Sequence, residues 1–153
     1  QAGASTYIVS PKERVQGWHH FDKGDYFDAD VLLDRADAAD FDALLLPGGV
    51  ANPDTLRTIP EAVAFVSRMN ELNKPIAAIC HGPWLLINAD VVDGRQITSW
   101  SSIKLDLINA GAVWVDKPVI VDGTLVTSRK PDDIPQFNEA MIQLFLSIKD
   151  KAA

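Results

Sequence analysis

The stretch Lys74-Pro75-Ile76-Ala77-Ala78-Ile79-Cys80-His81-Gly82-Pro83-Trp84-Leu85-Leu86 runs from a helix breaker through an unbroken apolar segment into a Cys-His-Gly-Pro corner. Ile76–Ile79 reads as a strand buried on both faces, and His81 to Asn88 as the helix that follows it. The chain's only cysteine therefore stands where a strand turns sharply into a helix. Such a turn pushes its central side chain out of the sheet, and Gly82 leaves room for a close backbone approach. Unpaired N–H groups at a helix start, together with the positive end of the helix dipole, stabilise a thiolate and lower the pKa of a cysteine placed there. The opposing reading is a buried, inert cysteine, the commoner fate of a lone thiol. The strand and helix on either side of the Cys-His-Gly-Pro corner favour the reactive one.

Outward from this corner the same kind of strand recurs at Ala43-Leu44-Leu45-Leu46, closed by Pro47-Gly48-Gly49. Ala4 to Ser10 is short, β-branched and stopped by Pro11, so it reads as a strand. The polar region from Lys12 to Asp25 reads as loop, with one short strand near Phe27–Val31. Asn52-Pro53-Asp54 is a turn or short helix start, and Pro60-Glu61 opens a clearer helix along which Val63, Val66, Met69 and Leu72 recur as a core stripe. Beyond the corner, Gln96–Thr98 reads as a strand and Ser102 to Asn109 as a helix stopped by Ala110-Gly111. Three short strands follow at Val113–Val115, Val119–Val121 and Leu125–Ser128, the last two joined by Asp122-Gly123 as a hairpin. A final helix from Ile134 to Ile148 buries Phe137, Met141, Leu144, Phe145 and Ile148. Alternating strands and helices imply an α/β sandwich with a mainly parallel sheet and a small antiparallel hairpin, one domain over the 153 residues.

In such sheets ligands gather beyond the carboxyl ends of the strands. Pro47-Gly48-Gly49 and Cys80-His81-Gly82 both stand there, which suggests a nucleophile facing an oxyanion hole built from the backbone N–H groups of Gly48, Gly49 and His81. Taken alone, Pro47-Gly48-Gly49 is a simple turn. His81 adjoins the nucleophile, and a bent elbow brings its imidazole within reach of the sulfur. A third group, usually a carboxylate, then orients the ring, and Asp54 is the nearest by pattern, with helix capping as its competing role. His19 and His20 lie in the polar segment without acid or thiol partners at ligand spacing, so no metal site is expected. Trp84, Trp100 and Trp114 read as core or interface residues. Arg129-Lys130-Pro131-Asp132-Asp133 is either an anion-binding loop or a solvated turn. Neither glycine-rich segment has the spacing of a dinucleotide or nucleoside-triphosphate loop. His19, Gly82, Pro83, Trp84 and Arg129 complete the set of candidate pocket residues, and no cofactor is expected.

Composition narrows the classes. A formal charge of −7 argues against nucleic acid as a partner. A single cysteine excludes an internal disulfide framework and is consistent with a reducing compartment, so a cytoplasmic protein is expected. No apolar run approaches the roughly 20 residues of a membrane span. The chain opens on Gln1-Ala2-Gly3 like the last turn of a helix, which leads us to expect a further segment upstream.

Several of these motifs together resemble a known family. Leu45-Leu46-Pro47-Gly48-Gly49, Asn52-Pro53-Asp54-x-Leu56-Arg57, Ala78-Ile79-Cys80-His81-Gly82-Pro83, Asn109-Ala110-Gly111-Ala112, and Val121-Asp122-Gly123 with Thr127-Ser128-Arg129 are similar to the PfpI-like cysteine peptidases. These belong to the class I glutamine-amidotransferase-like superfamily, with the Parkinson-associated deglycase. The resemblance, running from about Ala2 to Phe145, implies a flavodoxin-like three-layer sandwich, a Cys80 nucleophile, a His81 partner and backbone donors near Gly49 and His81. It further implies homodimers or homohexamers in which an acid at the Asp54 position, Glu in some relatives, reaches a neighbouring subunit's site. Relatives carry a glutamate after a first strand, close to the sulfur. This sequence begins beyond that strand and most of the first helix.

Activities reported in the family are peptidase, deglycase, glyoxalase and stress-protective holdase. The first expectation is therefore a cysteine-dependent hydrolase of small carbonyl adducts, with peptides as the less favoured substrate because the sequence advertises no extended groove. The competing expectations are a redox-responsive stress protein in which Cys80 is oxidised to a sulfinic acid, and a non-catalytic structural domain.

Overall fold

The computed structural model describes residues 2–19 and 22–152, with side chains described as far as Ser147. The expectations placed on Gln1, on His20 and on the side chain of Ile148 lie outside the described residues. Two units divide the chain, one ending at Asp40 and one beginning at Phe41.

In the first unit β1 (Val9–Ser10) lies parallel to β4 (Val31–Leu32). Between them β2 (Arg14–His19) and β3 (Asp22–Asp28) form an antiparallel hairpin where the sequence reads as loop. None of its residues is fully buried, so no apolar periodicity marks it. Cross-strand contacts stand in for a core: Arg14 pairs with Asp28 at 3.2 Å and lies 5.0 Å from the Tyr26 ring centroid, and the Gln16 amide donates to the Gly24 carbonyl at 2.6 Å. The register shifts between Gln16 and Trp18, where Gly17 and Gly24 let the two backbones approach so closely that a Cβ on Gly24 would lie 3.2 Å from the Gly17 carbonyl.

The second unit is built on one four-stranded sheet. β5 (Leu44–Leu46) and β6 (Ile76–Ile79) are parallel, Leu44 opposite Ile76 and Leu46 opposite Ala78. β9 (Val119–Asp122) and β10 (Leu125–Ser128) form the expected hairpin about Asp122-Gly123, and β10 runs parallel to β6, giving the order β5-β6-β10-β9. Ile76, Ala77, Ala78, Leu125, Val126 and Thr127 are at most 2% exposed, as strands covered on both faces must be. On one face α5 (Ile134–Ala152) lays Phe137, Met141, Leu144 and Phe145 over Ala77 and Val126. Elsewhere in the unit α1 (Ala51–Leu56) and α2 (Pro60–Glu71) pack against α3 (Pro83–Asn88), with Val66 and Met69 of the expected α2 stripe fully buried.

A smaller parallel pair, β7 (Gln96–Ile97) and β8 (Val113–Trp114), flanks a 3₁₀ turn at Ser101–Ile103 that leads into α4 (Lys104–Asn109). The α/β class, parallel sheet and antiparallel hairpin agree with the sequence reading. Element ends differ because single turns close on local hydrogen bonds: the helix expected from His81 starts at Pro83, with proline at its first position.

Candidate functional site

Cys80 follows the last residue of β6 and has φ 64°, in the left-handed region that a residue with a Cβ avoids. Both of its peptide groups are tied down. Its N–H donates to the Ser128 carbonyl of β10 at 3.0 Å, and its carbonyl accepts from the Trp100 N–H at 3.0 Å. The Gly82 N–H returns to the Ile79 carbonyl at 2.9 Å and closes the turn, and a Cβ on Gly82 would come within 2.9 Å of the Leu46 carbonyl. Glycine is therefore required there, and Pro83 starts the helix behind it. The result is the elbow that the sequence predicts, with the sulfur half-buried at the carboxyl end of the sheet.

The loop after β5 closes on this elbow. A Cβ on Gly48 would lie 2.7 Å from the Cys80 Cβ and 3.5 Å from its sulfur, so only glycine lets this backbone reach the cysteine. Gly49 takes φ 80°. Among the described residues the N–H groups of Gly48, Gly49 and His81 donate to no acceptor. These three are the backbone donors that the sequence reading names, and they belong to the loop after β5 and to the turn after β6.

The His81 imidazole is 6% exposed and sets its Nδ1 3.2 Å from the Cys80 sulfur. Its Nε2 lies 3.1 Å from the Ser102 Oγ. Trp84 and Trp100 flank the ring, with centroids 5.1 and 6.2 Å away. Burial pushes the imidazole pKa below its ordinary value, because a charge is poorly solvated there, and the neutral form is favoured. These two tryptophans thus wall the site, Trp84 as the pocket candidate of the sequence reading and Trp100 in a role that reading did not give it, whereas Trp114 donates to Ser99 at 3.0 Å.

Asp54 and Arg129 do not touch the Cys80 and His81 side chains. Asp54 is exposed on α1, and among the described residues its carboxylate meets no donor or cation; within one chain the third partner of the imidazole is Ser102. Arg129 is engaged by its own surroundings. It forms a two-pronged pair with Asp133 at 2.9 and 3.1 Å and reaches Asp116 at 2.7 Å, contacts that hold its pKa above the usual guanidinium range. It braces the junction between β10 and α5 and offers no free fork to a ligand. His19 ends β2 in the other unit and is exposed, paired in register with Asp22. Among the described residues no three His, Cys, Asp or Glu side chains group as metal ligands would, and no helix is long and apolar enough to cross a membrane.

The model of the DJ-1/PfpI family matches residues 1–144. The chain is 40% identical over 144 residues to deglycase PfpI of Pyrococcus furiosus, covering 94% of this chain and 84% of that protein. It is 49% identical over 116 residues to protein/nucleic acid deglycase 2 of Escherichia coli K12, covering 75% of this chain and 67% of that protein. The crystal structure of a two-domain protein with DJ-1/ThiJ/PfpI-like and ferritin-like domains from Anabaena variabilis superposes with a TM-score of 0.86 at 37% identity, over 93% of this chain and 40% of that one.

Proposed function

The chain belongs to the DJ-1/PfpI family, and from that premise we propose that it is a cysteine-dependent hydrolase of small carbonyl adducts on amines, a deglycase with stress-protective effect. One observation carries this reading: the sulfur of a residue held at φ 64° faces an imidazole nitrogen at 3.2 Å, beside backbone N–H groups that have no acceptor among the described residues. Relatives named as deglycases support the reaction class.

In a carbinolamine adduct the hydroxyl and the amine share one carbon, and the amine is expelled as the hydroxyl becomes a C=O, its proton passing to the departing nitrogen. His81 Nδ1 takes the thiol proton, and the thiolate adds to that C=O carbon. The C=O pair moves onto oxygen, where the N–H groups of Gly48, Gly49 and His81 receive the charge before Nδ1 returns its proton there. The hemithioacetal so formed expels the thiol, and water hydrates the released carbonyl compound. Nothing in this sequence of steps needs a groove along the surface, so a small adduct suits it better than a folded polypeptide. As the family resemblance implies, the chain works as a homodimer or homohexamer in which Asp54 serves a neighbouring copy, and its single cysteine fits the reducing cytoplasm.

The test sets methylglyoxal-modified amines, free methylglyoxal and casein side by side with purified protein. Cys80→Ala should lose turnover of the adducts by at least about a hundredfold while its circular dichroism is kept. Full turnover in that variant overturns the reading, and no turnover by the wild type leaves the redox or holdase alternative.

A further inference from the structure

Within one chain the imidazole has a polar partner on each nitrogen, the Cys80 sulfur at 3.2 Å and the Ser102 Oγ at 3.1 Å. We propose that Ser102 is a positioning residue: its hydroxyl oxygen accepts the Nε2–H of His81 and so keeps the Nδ1 lone pair turned to the Cys80 sulfur. This inference rests on the hydrolase reading above.

A neutral imidazole has one N–H and one lone pair, and which nitrogen carries which is set by the partner of the other. With Nε2–H directed at Ser102, Nδ1 is free to receive a proton. When the thiol proton moves from sulfur to Nδ1, nothing leaves Nε2, Ser102 keeps its own proton, and the Nε2–H···Oγ bond becomes charge-assisted. The opposite arrangement, with Ser102 donating to Nε2, puts a hydrogen on Nδ1 and leaves the thiol without a base.

Ser102 can hold this position because its support is fixed. It sits in the Ser101–Ile103 turn, whose Ile103 N–H donates to the Trp100 carbonyl at 3.2 Å and whose Ile103 side chain is fully buried. Trp100 in turn donates its N–H to the Cys80 carbonyl. Nucleophile, base and hydroxyl are thus joined through one short run of backbone. The ring is also confined between Trp84 and Trp100. Charged side chains on the flanking elements engage Trp84 instead: the Asp106 carboxylate accepts from its indole at 2.7 Å, and the Arg57 guanidinium lies 5.2 Å from its ring centroid.

The experiment uses the full chain and the variants Ser102→Thr and Ser102→Val, which have nearly the same shape and differ in the hydroxyl, so that any general effect of added bulk is shared. Histidine ¹⁵N spectra, with the His81 signals identified by His81→Gln, report the tautomer, and iodoacetamide alkylation of Cys80 at pH 7 reports the reactivity of the sulfur. We expect the Nε2–H tautomer in the wild type. Ser102→Val should be alkylated about tenfold more slowly, the worth of one charge-assisted hydrogen bond, and Ser102→Thr should stay within about twofold of wild type. An Nδ1–H tautomer in the wild type, or equal rates for the two variants, overturns the proposal. Neither readout needs turnover, so loss of the hydrolase reading through an active Cys80→Ala would be seen separately.

Discussion

At the scale of single residues, the cost of the elbow falls on Cys80. A side chain with a Cβ at φ 64° is strained, and glycine there is not. Cys80→Gly should therefore be more stable than Cys80→Ala by about 1 kcal/mol in urea unfolding, both variants lacking the sulfur and differing in the Cβ. Equal stabilities would mean that the left-handed conformation stores nothing. Cys80 and His81 are legible in the sequence because the lone cysteine, the flanking glycine and the apolar strand before them occur together. Ser102 is not. It lies 21 residues from its partner, serine is common on surfaces, and tertiary contacts such as the Trp100–Cys80 backbone bond bring the two together. Asp54 drew attention for the opposite reason: a carboxylate in a proline-bounded turn looks chemical, yet its side chain ends at the surface of its own chain.

Between elements, the brace at the end of β10 decides how firmly Ser128 is presented to the Cys80 N–H. Arg129 reaches forward to Asp133, four residues on in the 3₁₀ turn that precedes α5, and sideways to Asp116. Asp133→Ala leaves the guanidinium with one exposed partner. It should lower unfolding free energy by about 1–2 kcal/mol, read from urea midpoints at constant slope. The four-residue spacing of Arg129 and Asp133 is the sequence hint that this arginine serves its own chain. Strands β5 and β6 are readable because they are apolar at every position, yet β5 differs from the expected strand buried on both faces, since Leu45 is 47% exposed within its own chain. By contrast the β2–β3 hairpin is invisible to periodicity, since its stability comes from cross-strand pairs such as Arg14 with Asp28 that no single-strand pattern encodes.

For the whole molecule, the buried imidazole couples folding to pH. Burial lowers the His81 pKa below the unfolded value of about 6.5. Below that pH the unfolded chain binds the extra proton and the folded chain resists it, so stability is fully present above about 6.5 and falls as pH drops towards the folded value. Urea midpoints measured from pH 7.5 down to 4.5 should fall more steeply for the wild type than for His81→Gln, in which the carboxylates titrate as before. Parallel curves would show that the imidazole is not held neutral. The fold class is readable at this scale because alternating strands and helices admit few arrangements, whereas substrate choice depends on side chains that converge only in three dimensions. A last consequence concerns the stitching of Cys80 on both sides, through its own N–H to β10 and its own carbonyl to Trp100. A trigger clamped at both ends is cocked before any guest arrives, so catalysis in this scaffold waits on delivery rather than on rearrangement.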